Sequence, residues 1–192
     1  MSLEEYPNGG HFKWLRPWVE GRKLRTVIDC GAHVGMWSRY WYDRVERIEA
    51  FEPNPDIIPK FKEEMKGIKN ITLHEYALGS NSGTVAMQYG KHPGTYHIKP
   101  NLYEHDGDIK IRTLDSFNFT KVDIIKIDVE GYEVPLLEGA RETILANKPI
   151  IQIEANETGI RYGRPKIEIS NTLRSLGMVR IAKQWPDQIW CF

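Results

Sequence analysis

The chain has 192 residues, enough to bury a sizeable core in one domain (1–192) without a disulfide or metal staple. Its 26 Lys and Arg balance 26 Asp and Glu, and this zero net charge argues against a dedicated nucleic-acid binder. No apolar run approaches the ~20 residues of a membrane helix, the N-terminus lacks a signal-peptide core, and Cys30 and Cys191 show no metal-ligand spacing, so the expectation is a soluble, cytoplasmic protein with reduced thiols.

Residues 1–24 are polar, with Trp14, Leu15, Trp18 and Val19 at helical spacing, which predicts a short N-terminal helical cap. Thr26–Cys30 is a β-branched run ending at Gly31, a buried strand entering a glycine loop. Residues 35–42 supply a helix, and 47–52 a second strand stopped by Pro53-Asn54-Pro55. Ile57, Ile58, Phe61 and Met65 give 56–66 an amphipathic helical pattern. Residues 71–78 read as a third strand. The stretch 79–110 is rich in Gly, Ser, Asn, His and Pro; it carries a strand near 84–87 and otherwise reads as a long loop, with 88–110 assigned to the substrate. The fourth core strand is 122–128, followed by a helix over 131–146, a fifth strand over 149–154 and a helix over 166–176 ended by Gly177. Residues 178–182 and 188–192 form a closing hairpin turned at Pro186-Asp187. Strands alternating with helices imply a doubly wound α/β fold with a mostly parallel sheet and a C-terminal antiparallel hairpin.

Two motifs carry chemistry. Asp29-x-Gly31-x-x-x-Gly35 lies between a strand and a helix, where a tight turn leaves backbone N–H groups for a ligand carboxylate or phosphate. By itself the pattern fits a plain strand-to-helix turn equally well. Glu52 ends the next strand, the place where doubly wound folds put an acid against ribose hydroxyls. Together they point to a nucleoside. With His33 in the middle of the loop and an acid two residues before its first glycine, S-adenosylmethionine fits better than a dinucleotide, having no pyrophosphate to cradle.

The segments 27–35 (VIDCGAHVG), 51–55 (FEPNP), 113–117 (TLDSF), 122–140 (VDIIKIDVEGYEVPLLEGA) and 149–154 (PIIQIE) resemble the FkbM-type methyltransferase family. The resemblance implies a class I, Rossmann-like methyltransferase fold with a seven-stranded sheet. It also implies S-adenosyl-L-methionine as donor, and mostly O-methylation of sugars or other hydroxyl-bearing metabolites. Carried over by position, Asp29, Gly31, His33 and Gly35 frame the methionine portion and Glu52 holds the ribose. Tyr76 and Ala77, at the end of the third strand, lie near adenine, and Asp128 faces the methionine amino group or the transferring methyl. The family often has asparagine where His33 stands, and 88–110 departs most from its pattern.

Acids at strand ends supply candidates for the base that takes the acceptor's proton, Asp128 and Glu154 foremost, with His97 of the 88–110 loop beside them. Plainer readings exist for each. Glu130 fits a cap of the following helix, Glu133 the helix surface, Glu154 a solvated strand end and His97 an exposed loop residue. Two of the acids joined by Asn156 would suit Mg²⁺, but no compact ligand motif appears and no metal is expected. The basic stretch Arg161–Lys166 suits a substrate anion or ordinary solvation. The expected partner is a saccharide or other small acceptor, without nucleic acid or membrane, and self-association is left open. The alternatives are an N-methyltransferase and a donor-binding module without catalysis.

Overall fold

The computed structural model describes residues 14–90, 96–100 and 107–192. Helix α1 (Arg16–Val19) is the described part of the expected cap; residues 1–13 lie outside the described ones. There follow β1 (Leu24–Cys30), α2 (Met36–Trp41), β2 (Val45–Phe51), α3 (Ile58–Glu64), β3 (Ile71–His74), β4 (Ala77–Leu78), β5 (Gly83–Val85), β6 (Met87–Gln88), β7 (His97–Ile98) and β8 (Ile109–Arg112). The second half holds β9 (Val122–Ile127), α4 (Glu133–Glu138), α5 (Arg141–Asn147), β10 (Ile150–Glu154), α6 (Ile167–Ser175), β11 (Val179–Gln184) and β12 (Asp187–Cys191).

The main sheet has seven strands in the order β11-β12-β10-β9-β1-β2-β3. The five strands from β10 to β3 run parallel, and β12 is antiparallel to both β10 and β11. This is the doubly wound sheet with a C-terminal hairpin that the strand–helix alternation implies. Each central strand carries consecutive apolar residues because both faces are covered. The strand period of two sends them to opposite sides. Val27, Ile124, Ile150 and Ile189 pack with Leu15, Trp37 and Trp41 on one face; their successors Ile28, Ile125, Ile151 and Trp190 pack with Leu136, Ile144 and Leu173 on the other.

Three local expectations are corrected. Residues 71–78 are not one strand: the chain leaves the edge of the main sheet after His74, and Ala77–Leu78 pairs in parallel with Ile111–Arg112 in a separate three-stranded sheet. Tyr76 and Ala77 therefore lie beyond the third strand rather than at its end. Residues 88–110 are not simply a loop: among the described ones, His97–Ile98 pairs with Met87–Gln88, and Ile109–Arg112 forms the centre of that second sheet, while 91–95 and 101–106 lie outside the described residues. The helix over 131–146 is two helices broken at Gly139-Ala140. The carboxylate of Asp115 accepts the N–H groups of Glu142 and Thr143 at 3.1 and 2.8 Å and starts α5 afresh, a cap drawn from far away in sequence. No helix among the described residues is long and apolar enough to cross a membrane.

Candidate active site

On the face that carries Val27, Ile124 and Ile150, the residue two further along each strand is polar. Asp29, Lys126 and Gln152 stand abreast on β1, β9 and β10, since Asp29 pairs with Lys126 and Lys126 with Gln152 in the ladder. Two residues beyond come Gly31, Asp128 and Glu154, with Glu52 in the matching place after β2. The apolar floor of the sheet thus gives way, layer by layer, to charge at its carboxyl end. Ligand crevices of open α/β sheets form there. A cavity of about 440 Å³ occupies this end, lined on one side by Gly31, His33, Glu52 and Asn54 and on the other by Asp128 and Glu154.

The glycine turn is dictated by a close approach. Gly31 has φ +77°, and a Cβ built there would lie 1.9 Å from the carbonyl oxygen of Asp128. The N–H groups of Gly31 and Ala32 both reach the Phe51 carbonyl, at 3.0 and 2.9 Å, which ties the turn to the end of β2. His33 follows at φ +50°, a left-handed conformation uncommon for a side chain of its size. Its ring lines the cavity, and burial, with Lys126 nearby, lowers its pKa and keeps the imidazole neutral.

Glu52 is only 7 % exposed. One carboxylate oxygen accepts the His33 N–H at 2.8 Å and the other the Asn54 N–H at 2.9 Å. Burial raises its pKa, and these two bonds work against that rise. Each oxygen keeps a lone pair for a further donor, so the group suits vicinal hydroxyls.

Lys126 is a cation at the sheet centre that the strand pattern VDIIKID carries without advertising. Its ammonium donates to the carbonyls of Gly31 (2.7 Å) and Cys30 (3.3 Å) and forms an ion pair with Asp29 at 3.2 Å. Burial favours the neutral amine, but Asp29 and then Asp128 outweigh it, so the pKa lies above that of an ordinary lysine. Asp29 itself is fully buried, accepts the Ser38 hydroxyl at 2.7 Å and does not line the cavity. Gly35 does not line it either and packs on Phe61 and Met65. Both stand behind the turn, outside the cavity lining.

Carboxylates crowd the far side. Glu154 is half-buried, and burial together with Asp128, Glu133, Glu130 and Asp187 raises its pKa to about 8. Glu130, at φ +55°, is raised to about 7 by burial and Asp128. Glu133 is not on the helix surface: it is buried, its oxygen accepts the N–H groups of Val129 (3.2 Å) and Gly131 (3.0 Å), and burial raises it to about 7. Glu133, not Glu130, closes the turn before α4. Among the described residues no group of three or more His, Cys, Asp and Glu side chains is placed to hold a metal ion.

The remaining expected residues also reach the cavity wall. Tyr76 and Ala77 line it after β3, the Tyr76 ring edge-on to Phe117 with the Arg112 guanidinium 4.1 Å from the Phe117 ring centre. His97 lines it from β7, whose Ile98 carbonyl accepts the Tyr162 hydroxyl at 2.6 Å. The basic stretch 161–166 is largely spoken for, with Arg164 paired to Glu138 and Glu168 and Lys166 to Glu157. Lys126, Gln152, Asn54 and Asp187 line the cavity without having been singled out in the sequence. The signal for Lys126 and Gln152 was there: polar residues of one parity in three strands that are otherwise apolar.

The chain matches the Methyltransferase FkbM domain over residues 29–177 and belongs to that family. The hexuronic acid methyltransferase AglP of Haloferax volcanii is 26 % identical over 146 residues, covering 71 % of this chain and 59 % of that protein. Methyltransferase FkbM from Methylobacillus flagellatus superposes with a TM-score of 0.57 at 19 % identity over 88 % of this chain and 44 % of its own. The N-methyltransferase NodS of Bradyrhizobium japonicum, solved with S-adenosyl-L-homocysteine, gives 0.52 at 10 % identity over 94 % of this chain and 83 % of its own. The chain spans about three fifths of the length of the curated relative it matches here. The fold is that of class I, Rossmann-like methyltransferases.

Proposed function

We propose that the protein is an S-adenosyl-L-methionine-dependent methyltransferase that methylates a hydroxyl of a sugar or another small metabolite. The observation that carries this reading is the meeting of Glu52, the Gly31–His33 turn and the Asp128–Glu154 carboxylates around one cavity at the carboxyl ends of the strands. Family membership and the donor product seen in NodS support it, and the hexuronic acid named for AglP supports a saccharide acceptor.

The residues present suit that donor. The two Glu52 oxygens, each with one N–H already in place, accept from the ribose hydroxyls. Tyr76 and Ala77 border the adenine. The Gly31–His33 turn borders the methionine portion, whose ammonium is balanced by Asp128. The donor, when bound, supplies a methyl group activated on a sulfonium. The chain has to hold the acceptor oxygen in line with that methyl, exclude water and take one proton. Orientation of this kind is worth about 7–11 kcal/mol in favourable cases. Glu154 takes the proton: its value near 8 matches the pH at which a base must both hold and release it. Asp128 raises that value by its charge, and His97 stands on the wall as the second candidate.

Calorimetric titration with S-adenosyl-L-homocysteine tests the pocket. Wild type should bind saturably, and Glu52→Ala should bind at least about 10-fold more weakly, since a hydrogen bond to a charged group is worth about 1.5–3 kcal/mol. No binding to wild type overturns the reading. With donor bound, release of S-adenosyl-L-homocysteine across a panel of neutral sugars, uronates and amines identifies the acceptor. Glu154→Gln should lower kcat about 10²–10⁴-fold on a hydroxyl acceptor. A mild effect with an amine acceptor would instead favour N-methylation, and an absence of turnover across the panel a donor-binding module.

A further inference from the structure

Tyr162 lies outside the cavity lining, yet it touches two parts of the wall. It ends a short 3₁₀ turn, Thr158–Tyr162, that follows β10 and its terminal Glu154. That turn rests on the backbone of the carboxylate side. A Cβ on Gly131, at φ +100°, would lie 2.7 Å from the Thr158 carbonyl, and one on Gly159 would lie 3.3 Å from the Gly131 carbonyl oxygen. Gly131 directly follows Glu130, so this close approach sets the spacing between the turn and the carboxylates. From that seat the Tyr162 ring meets the ring of Tyr132, a lining residue, edge-on with centres 5.0 Å apart. The Tyr162 hydroxyl donates to the Ile98 carbonyl at 2.6 Å, across 64 residues of chain. Burial raises the Tyr162 pKa, which keeps the hydroxyl protonated and donating.

Ile98 belongs to the β6–β7 ribbon, which pairs with neither of the other sheets among the described residues. Contacts of other kinds therefore place its wall residues Met87, His97 and Ile98: Ile98 packs on Ala77, Val85 and Ile111, and the Tyr162 bond reaches its backbone. Site residues are productive only when their neighbours hold them to within about 0.5 Å. Resting on the methyltransferase reading above, we infer that Tyr162 is a positioning residue for the acceptor, its hydroxyl holding the His97–Ile98 wall at the distance from Glu130 and Glu154 that the acceptor fits. In that reading the donor runs from Tyr76 and Glu52 to the Gly31–His33 turn and Asp128, and the space between β7 and Glu154 is left for the acceptor. Loss of the hydroxyl leaves the ribbon's strand pairing and apolar contacts in place and releases the Ile98 carbonyl, so the acceptor wall shifts while the donor's contacts stay.

Tyr162→Phe keeps the ring and removes only the hydroxyl. The test is steady-state kinetics of wild type and Tyr162→Phe at saturating S-adenosyl-L-methionine, with the member of the sugar, uronate and amine panel that wild type methylates fastest. Calorimetric titration with S-adenosyl-L-homocysteine and the melting temperature of each protein accompany it. Acceptor KM should rise about 3–10-fold, the loss of one neutral hydrogen bond, while kcat and S-adenosyl-L-homocysteine affinity stay within about twofold. The melting temperature should stay within about 4 °C of wild type. A rise in KM below about threefold overturns the inference. So does an equal loss of S-adenosyl-L-homocysteine affinity, which would assign the hydroxyl to the donor side. A fall in kcat and melting temperature at unchanged KM overturns it too, and would make Tyr162 a packing residue alone. No S-adenosyl-L-homocysteine binding by wild type, or no turnover of any panel member, removes the methyltransferase reading itself and this inference with it.

Discussion

Replacing Lys126 by methionine should destabilise the protein far more than removing a surface charge. Asp29 is fully buried and Lys126 is 7 % exposed, so the substitution leaves a carboxylate in the core with no countercharge. Breaking a buried pair by removing one partner costs about 3–5 kcal/mol. Two features place this case at the low end. Asp29 keeps the Ser38 hydroxyl at 2.7 Å, and the Cys30 carbonyl keeps the Asp128 N–H at 3.2 Å. Methionine also fills most of the lysine stem's volume. The expectation is about 3 kcal/mol, or roughly 6–12 °C in melting temperature at about 2–4 °C per kcal/mol for a domain of this size. Adding Asp29→Asn removes the orphaned charge, and at least about half the loss should return, because replacing both partners of a buried pair is often close to neutral. Thermal unfolding of the two single variants and the double, followed by circular dichroism at pH 7, closes the cycle. A Lys126→Met variant within about 0.5 kcal/mol of wild type, the range of ordinary surface changes, refutes the reasoning. A double variant no more stable than Lys126→Met refutes it too. In the same variant the Gly31 carbonyl loses its 2.7 Å anchor, so S-adenosyl-L-homocysteine should bind more weakly as well.

Gly31→Ala and Gly163→Ala make a matched pair. Both residues have positive φ, +77° and +70°, but a Cβ at Gly31 would meet the Asp128 carbonyl at 1.9 Å, whereas Gly163 has open space. The second should cost about 1–2 kcal/mol from the left-handed backbone alone, the first several times that, or fail to fold; equal losses in urea unfolding would contradict the close-approach argument. Stability should also fall as pH rises. Glu154, Glu130 and Glu133 hold their protons in the folded state up to about 8, 7 and 7, while the unfolded chain ionises from the ordinary value of 4.5. Their stabilising contribution is complete below that value and is lost as pH climbs through 7 to 8. Melting temperatures between pH 5 and pH 8.5 should show this decline, and Glu154→Gln should flatten it; an unchanged slope would place the ionisation elsewhere.

The fold was legible because its signals are local. β-Branched runs, helical spacing and glycine punctuation lie within short windows, and each marks an element that the tertiary structure keeps. Misread elements are those decided from outside the window. The 131–146 helix breaks because Asp115 caps α5 from far upstream, and Ala77–Leu78 leaves the main sheet because Ile111–Arg112 offers it a partner. The site was half legible for the same reason. Glu52 and Gly31 sit in motifs whose geometry is local, whereas the strand carrying Lys126 reads as core, and Asn54 reads as a turn residue.

The amino-acid sequence by itself determined the succession of strands and helices and, with it, a sheet whose carboxyl end carries the candidate site. It also determined the glycine at 31 and the acid at 52. Only the tertiary structure decided which polar groups share a charge. Asp29 and Lys126 are 97 residues apart in the chain and meet because β1 and β9 are neighbours in register. Their pairing neutralises both in the core, while Asp128, one step beyond, faces the cavity with Glu154. Coulomb energy depends on separation in space and on exposure to water, and neither quantity exists until strands distant in sequence lie side by side.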